Sequence, residues 1–371
     1  MNKKERLVSL DVFRGITIAG MVLVNNPGSW SNIYPPLKHA AWHGCTPTDL
    51  VFPFFLFIVG VAVTLSLSKR KESGADQTKL ILNILRRSAI LFGLGLLLHA
   101  IPYFNFSTIR IPGVLQRIAV VYLISSLIFL KLDFKAIIYF TVFSLILYWI
   151  LIMFVPVPGF GEANLEKGTN LSAWLDNLLL SGHMWVYTKT WDPEGILSTL
   201  PALATTLIGV LTGKWLRKKN DNVVKVVWIF VFGNILMLAG YIWDGWFPMN
   251  KSLWTSSYVL YTGGLALNFL GICFWFIDVK KIKWWIKPFQ VYGMNAITVF
   301  FLSGLTAKML YYIKVNDYAG TKVSLKTYLF KNYFLTWLEP INASLLWAIC
   351  YVLIWLGLMW ILYNRKIFIK V

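Results

Sequence analysis

The sequence predicts an all-α polytopic membrane protein of about ten transmembrane helices, and three observations predict it. Hydrophobic residues make up 57% of the 371 and charged residues 14%, whereas roughly a quarter of a soluble domain is charged. Mean hydropathy is +0.64. The apolar residues fall in blocks of about twenty, the length that crosses roughly 30 Å of hydrocarbon. The formal charge of +19 is spread over short basic clusters between those blocks. Membrane topology accounts for such clusters, and no nucleic-acid partner is expected.

Ten spans are expected, at roughly 8–25, 49–68, 88–101, 112–130, 136–155, 195–213, 226–243, 253–277, 290–310 and 342–363. The first follows a basic head, but Asp11 and Arg14 interrupt it and no small-residue cleavage site follows. It is read as a retained span rather than a removed signal peptide. The second opens on Asp49 and Pro53 and ends at Lys69, Arg70 and Lys71. The third, after Arg86 and Arg87, is short for a full crossing. The fourth enters through the stretch IPGVLQRIAV, and the sixth follows WDPEG. No internal repeat or separate soluble domain is visible, so residues 1–371 are read as one transmembrane domain.

Orientation follows from Lys and Arg. One set of connections holds Lys3, Lys4 and Arg6, then 69–71, Arg86 and Arg87, 217–219, Lys280, Lys281, Lys283 and Lys287, and Arg365 and Lys366. The opposite set is sparse until Lys308. The rich side faces the cytoplasm, which places both termini inside and the Asn25–Asp49 loop outside. The longest outer loop, 156–194, carries Trp174, His183, Trp185, Trp191, Asp192 and Glu194. Tryptophans in such a loop serve either a sugar platform or an interfacial belt.

Ionisable groups inside spans are costly and face a cavity or a partner. Asp11 and Arg14 lie three apart on one helix face, and are read as an ion pair or, for Arg14, as an anion ligand. Asp49 suits a helix start and equally suits orienting a histidine. Arg117, about a turn and a half past Pro112, calls for a buried carboxylate or a ligand anion. Asp192 and Glu194 are candidate partners for Arg117 or His39, or a helix-start motif. His39 and His43 are four apart, but the prolines and glycine around them fix no metal geometry, and no metal is expected. His39 is the candidate base or nucleophile, because imidazole titrates near neutral pH. The three cysteines stand far apart with no CxxC pair, so neither zinc nor a disulfide framework is suggested.

Six stretches in order carry a resemblance: SLDVFRGITIAGMVLVNN, KHAAWHGCTPTDLVFPFFLFIVG, IPGVLQRIAVVYL, WDPEGILSTLPALATTLIGVLTG, NKSLWTSSYVLYTGG and GMNAITVF. Together they resemble the heparan-alpha-glucosaminide N-acetyltransferase family of transmembrane acetyltransferases and its bacterial relatives. The resemblance implies transfer of an acetyl group from cytoplasmic acetyl-CoA to the amine of an amino sugar across the membrane. It places the active histidine on His39 and a further site residue on Asn25. His39 then takes the amine proton or itself carries the acetyl group, and Asn25 donates to the developing oxyanion. The phosphates of acetyl-CoA call for basic residues, for which Arg14, Arg86, Arg87 and Lys287 are candidates by position, with Arg117 as a further anion ligand. Trp42, Asp192, Glu194, Asn250, Trp254 and Ser256 are candidates for the acceptor side.

The bacterial inner membrane is the expected location, and a homodimer is an open possibility. Two other readings share the polar cavity. A transporter for amino sugars or small solutes would move its solute without releasing CoA thiol. An O-acetyltransferase of envelope glycans would leave an alkali-labile ester.

Overall fold

The computed structural model describes residues 7–318 and 320–369, so the basic cluster Lys3, Lys4 and Arg6 lies outside the described residues. Thirteen α-helices and one small hairpin make up these residues: α1 Val8–Asn25, α2 Val51–Glu72, α3 Gln77–Ala100, α4 Val114–Lys131, α5 Phe134–Phe154, α6 Leu171–Leu180, α7 Thr199–Leu216, α8 Asn222–Asp244, α9 Ser256–Phe274, α10 Lys287–Met294, α11 Ala296–Tyr312, β1 Lys314–Asn316, β2 Lys322–Ser324, α12 Leu325–Tyr333 and α13 Pro340–Asn364. Among the described residues, eight helices are long and apolar enough to cross a bilayer, and α10 with α11 adds a ninth across an 80° bend. The chain is thus all-α and polytopic, as its composition requires.

Each of the ten expected segments is a helix, with two differences of shape. The third, expected as a short 88–101, is the 24-residue α3, which begins at Gln77 where Asp76 caps the backbone N–H groups of Thr78 and Lys79. Arg86 and Arg87 break the apolar run there but not the helix, because arginine is a good helix former. The ninth, expected as one helix over 290–310, is broken at Asn295. The Asn295 side chain donates to the Ile367 carbonyl at 3.2 Å and accepts from the Ile369 N–H at 2.9 Å. An amide occupied in this way fixes a bend that hydropathy does not register. The sixth segment, α7, falls outside the eight by composition. It carries Thr, Gly, Pro and Lys214 and is buried over most of its surface, so protein rather than lipid surrounds it.

The chain divides into two compact units. Among the described residues, the first contains α1, residues 26–40 and 46–51, and residues 276–318 and 320–369. Here α1 and α10 meet backbone to backbone. A Cβ on Gly15 would lie 1.8 Å from the Phe289 carbonyl oxygen, and one on Gly293 2.1 Å from that of Asp11. Such approach is open only to the smallest residue and is a common way to associate helices in lipid. The second unit contains residues 41–45 and 52–275, with α2 through α9. Its α2 and α7 cross just as closely at Gly60 and Gly209. The long 156–194 connection is partly ordered by α6, whose Asn170 accepts a hydrogen bond from the Ala173 N–H as an N-cap.

Candidate active site

His39 is delivered by local chemistry that can be followed residue by residue. Pro35 and Pro36 open a 3-10 turn ending at Leu37, and a second turn, Pro47–Leu50, leads into α2. Thr46 and Asp49 cap that second turn reciprocally. The cap buries Asp49, whose side chain is 1% exposed, while His39 is 44% exposed. His39 Nδ1 stands 2.6 Å from Asp49 Oδ1. Asp49 Oδ2 accepts from the Ala40 N–H at 3.0 Å and from the Thr46 N–H at 3.1 Å. Thr46 Oγ1 lies between the Lys38 carbonyl (2.6 Å) and Asp49 Oδ2 (3.0 Å), and its single proton serves one of them. Both sequence readings of Asp49 therefore hold at once: it caps a helix start and it orients a histidine.

This geometry decides the tautomer. A carboxylate only accepts, so Nδ1 of a neutral His39 carries the proton and Nε2 carries the lone pair. The ring is exposed and the carboxylate is not, an arrangement that leaves a base facing outward with its orienting partner behind it.

The other first-unit candidates are separately placed. Asn25 ends α1 and is exposed. Arg14 Nη1 donates to Asp11 Oδ1 and to the Gly293 carbonyl, both at 3.3 Å, so the expected ion pair also ties α1 to α10. Lys287 is exposed, with Nζ 3.0 Å from the Tyr363 hydroxyl.

In the second unit, Trp42 is half-buried. Its Nε1 donates to the Leu165 carbonyl at 2.8 Å, its ring meets Trp191 edge to face, and Lys167 Nζ lies 5.3 Å from its centroid. The acidic pair Asp192 and Glu194 has a partner the sequence reading did not name. Arg110 donates from Nε and Nη2 to the two Asp192 oxygens at 2.8 and 2.6 Å, and from Nη2 to Glu194 at 2.5 Å. The direct hydrogen bonds thus go to Arg110, while both carboxylates also act electrostatically on Arg117, one of the two partners expected. Burial works against the Arg110 charge, but Glu194 and Asp192 outweigh it and hold the guanidinium above its ordinary range. Asp176, on α6, accepts from the backbone of Ile196 at 2.8 Å and of Asp192 at 3.3 Å. Burial pushes its carboxyl up to about 6.

Arg117 is buried in α4 with Nη2 donating to the Gly195 carbonyl at 3.0 Å and to Ser198 Oγ at 2.5 Å. Its guanidinium carbon lies 5.2 Å from the centre of the Trp254 ring. Nε and Nη1 have no protein partner among the described residues. Trp254, at φ 54°, is held in the left-handed region by Nε1 donating to Thr205 Oγ1 at 3.0 Å and by the Asn250 side chain accepting from Leu253 N–H at 2.9 Å. Ser256 donates to the Leu145 carbonyl. Trp254 and Ser256 thus spend their polar atoms inside the unit, and the Trp254 ring faces the Arg117 guanidinium. Arg86 is exposed, and Arg87 lies 4.8 Å from the Tyr122 ring centre.

Arg110 and Asp176 were missed, yet each left a trace: an arginine two residues before Pro112, and a lone carboxylate in the apolar run LSAWLDNLLL. No group of three or more His, Cys, Asp or Glu among the described residues is arranged to hold a metal ion.

The sequence model for the catalytic region of heparan-alpha-glucosaminide N-acetyltransferase matches residues 6–241. The chain belongs to this family. It is similar to heparan-alpha-glucosaminide N-acetyltransferase of Homo sapiens, 29% identical over 425 aligned residues, and of Mus musculus, 28% identical over 420. Both alignments cover 99% of this chain and 60% of the relative. The chain therefore spans about three fifths of the length of the curated relatives it matches. The family match contains His39, Asp49, Arg110, Arg117, Asp192 and Glu194, and ends before α9 through α13.

Proposed function

We propose that this chain is a transmembrane N-acetyltransferase, moving an acetyl group from cytoplasmic acetyl-CoA to the amine of an extracytoplasmic amino sugar of the glucosamine type. Family membership supports the reaction class, and the name shared by both relatives supports the acceptor class. The observation that carries the reading is the 2.6 Å contact between exposed His39 and buried Asp49.

In this reading His39 Nε2 takes the proton from the acceptor ammonium or from the attacking amine. The amine nitrogen forms its bond to the acetyl carbon, the carbon–sulfur bond breaks, and CoA leaves as thiolate. Asp49 holds the imidazole in the tautomer that accepts, and stabilises the imidazolium that results. Asn25 donates from its side-chain amide to the oxyanion of the tetrahedral intermediate. Arg14, Arg86, Arg87 and Lys287 offer positive charge to the nucleotide phosphates. Arg117 offers its unbonded Nε and Nη1 to a ligand oxygen beside the Trp254 ring, and Asn250 and Ser256 belong to the acceptor side. Trp42 offers a face to the acceptor ring, and Asp192 and Glu194 fix the wall of that side through Arg110. The protein sits in the bacterial inner membrane with both termini cytoplasmic, as one transmembrane acyltransferase domain in each subunit of a homodimer.

The test uses purified full-length protein with acetyl-CoA and glucosamine, following free thiol and acetylated sugar, beside His39→Ala. Wild type should release thiol and form an alkali-stable amide, and the folded variant should do neither. Equal activity in the variant would remove His39 from the chemistry. An alkali-labile product would point to O-acetylation, and gradient-driven sugar uptake without thiol release would point to transport.

A further inference from the structure

The segment that leaves α1 and delivers His39 rests on parts of the first unit that the family match does not reach. Gly28 N–H donates to the Ser344 carbonyl at 3.2 Å, and Ser29 N–H to Ser344 Oγ at 3.0 Å, which donates in turn to the Ser29 carbonyl at 3.1 Å. Tyr34 OH donates to Asn342 Oδ1 at 2.6 Å. A Cβ on Gly28 would stand 2.3 Å from the Phe330 ring, so this turn lies flat on α12. The remaining seam, Leu23, Ile33 and Leu37 against Ile341 and Leu345, encloses about 10 Å³. That is room for a single water, so the seam is a packed joint rather than a ligand pocket.

One charged side chain stands in this joint. Lys326, on α12, donates from Nζ to the Pro27 carbonyl at 2.8 Å, with Nζ 5.7 Å from the centre of the Tyr311 ring. Pro27 is two residues past the end of α1, where the backbone carbonyls present the negative end of the helix dipole and a cation is favoured. An aliphatic side chain of the same length could fill the space but could not bond that carbonyl. Burial opposes the charge and lowers the ammonium to about 8, so the contact is held against a desolvation cost.

We infer that Lys326 is a positioning residue for the transfer reaction, holding Pro27, and with it Asn25 and the approach to His39, in the working conformation. The inference rests on the proposed roles of Asn25 and His39. It extends the working parts of the protein into α12, a polar helix with no family motif.

The experiment compares wild type, Lys326→Met and Lys326→Arg as full-length protein in detergent, by kinetics and by hydrogen exchange. Lys326→Met should lower kcat at least tenfold while KM for acetyl-CoA stays within threefold. Lys326→Arg, which restores a donor and a charge, should recover most of kcat. Amides of Gly28, Ser29 and Trp30 should exchange at least tenfold faster in the Met variant and near the wild-type rate in the Arg variant, with α7 amides unchanged as a check on folding. Wild-type kcat in Lys326→Met, or a loss that Arg fails to rescue, would overturn the inference. Should wild type itself prove inactive, the functional reading fails first, and unchanged exchange at Gly28 and Ser29 in Lys326→Met would overturn the positioning role separately.

Discussion

Replacing Asp49 by asparagine should abolish most activity without disturbing the fold, and the hydrogen bonds say why. Oδ2 of Asp49 accepts from two backbone N–H groups, those of Ala40 and Thr46. Only an oxygen can sit there, so the asparagine carbonyl takes that position and its NH2 takes the position facing His39 Nδ1, 2.6 Å away in the wild type. A donor now meets Nδ1, the ring proton moves to Nε2, and the lone pair needed for the amine proton is gone. The corresponding change in a serine-protease triad lowers kcat by about 10⁴-fold through the same reversal of tautomer. A loss of about 10³–10⁴-fold, or roughly 4–5.5 kcal/mol in the barrier, is expected here. Asp49→Ala differs in kind, because it leaves the half-buried Ala40 and Thr46 N–H groups without their acceptor, at about 1 kcal/mol for each. The assay is thiol release from acetyl-CoA under saturating glucosamine, with thermal unfolding in the same detergent as the control. Asp49→Asn should melt near wild type and Asp49→Ala well below it. Activity of Asp49→Asn within tenfold of wild type would refute the tautomer argument.

Two further outcomes follow from the carboxylate network of the second unit. Arg110→Met should lower stability by about 3–5 kcal/mol, because it strips the counter-charge from Asp192, whose side chain is 0% exposed; a thermal midpoint within two degrees of wild type would show that the pair contributes little. Asp176 tests pH dependence. Its carboxyl is raised by burial to about 6, so the folded state binds this proton more tightly than the unfolded chain does. Stability from this group is full below the ordinary carboxylate range and is lost as pH climbs to 6, by up to roughly 3 kcal/mol for a shift of about two units. Asp176→Asn should remove that slope, and a wild-type-minus-variant difference that stays flat from pH 4 to 7 would contradict it.

What the sequence disclosed and what it concealed divide along the range of the interactions. Asp49 and His39 are ten residues apart in one loop, joined by a capping pattern that Thr46 and Pro47 announce, so their pairing was legible. The helices were legible because lipid demands long apolar stretches and short basic connections. Arg110 was not, since its partners lie 82 and 84 residues away and its place two residues before Pro112 points to neither of them. The break at Asn295 was hidden for a similar reason: the amide is satisfied by Ile367 and Ile369, more than seventy residues downstream, while the hydropathy of α10 and α11 runs on without a gap. The length of α3 was concealed differently, because hydropathy marks where lipid contact is favourable and Asp76 marks where the helix begins.

The same division explains why the family motifs and the working structure need not coincide. The six matching stretches contain His39, exposed on a turn, and Asn25, exposed at the end of α1, and a turn holds its shape only through what it rests upon. For the turn after α1 that support is Ser344, Asn342, Phe330 and Lys326. Ser344 and Lys326 act through backbone atoms of the loop at Pro27, Gly28 and Ser29, while Asn342 takes the Tyr34 hydroxyl and Phe330 packs on a glycine. A supporting residue of this kind can be exchanged for another that reaches the same carbonyl from a different helix position, so it escapes any motif drawn from the site itself. Hydrogen exchange at Gly28 and Ser29 therefore reads the support directly, whereas activity reads it only through Asn25 and His39.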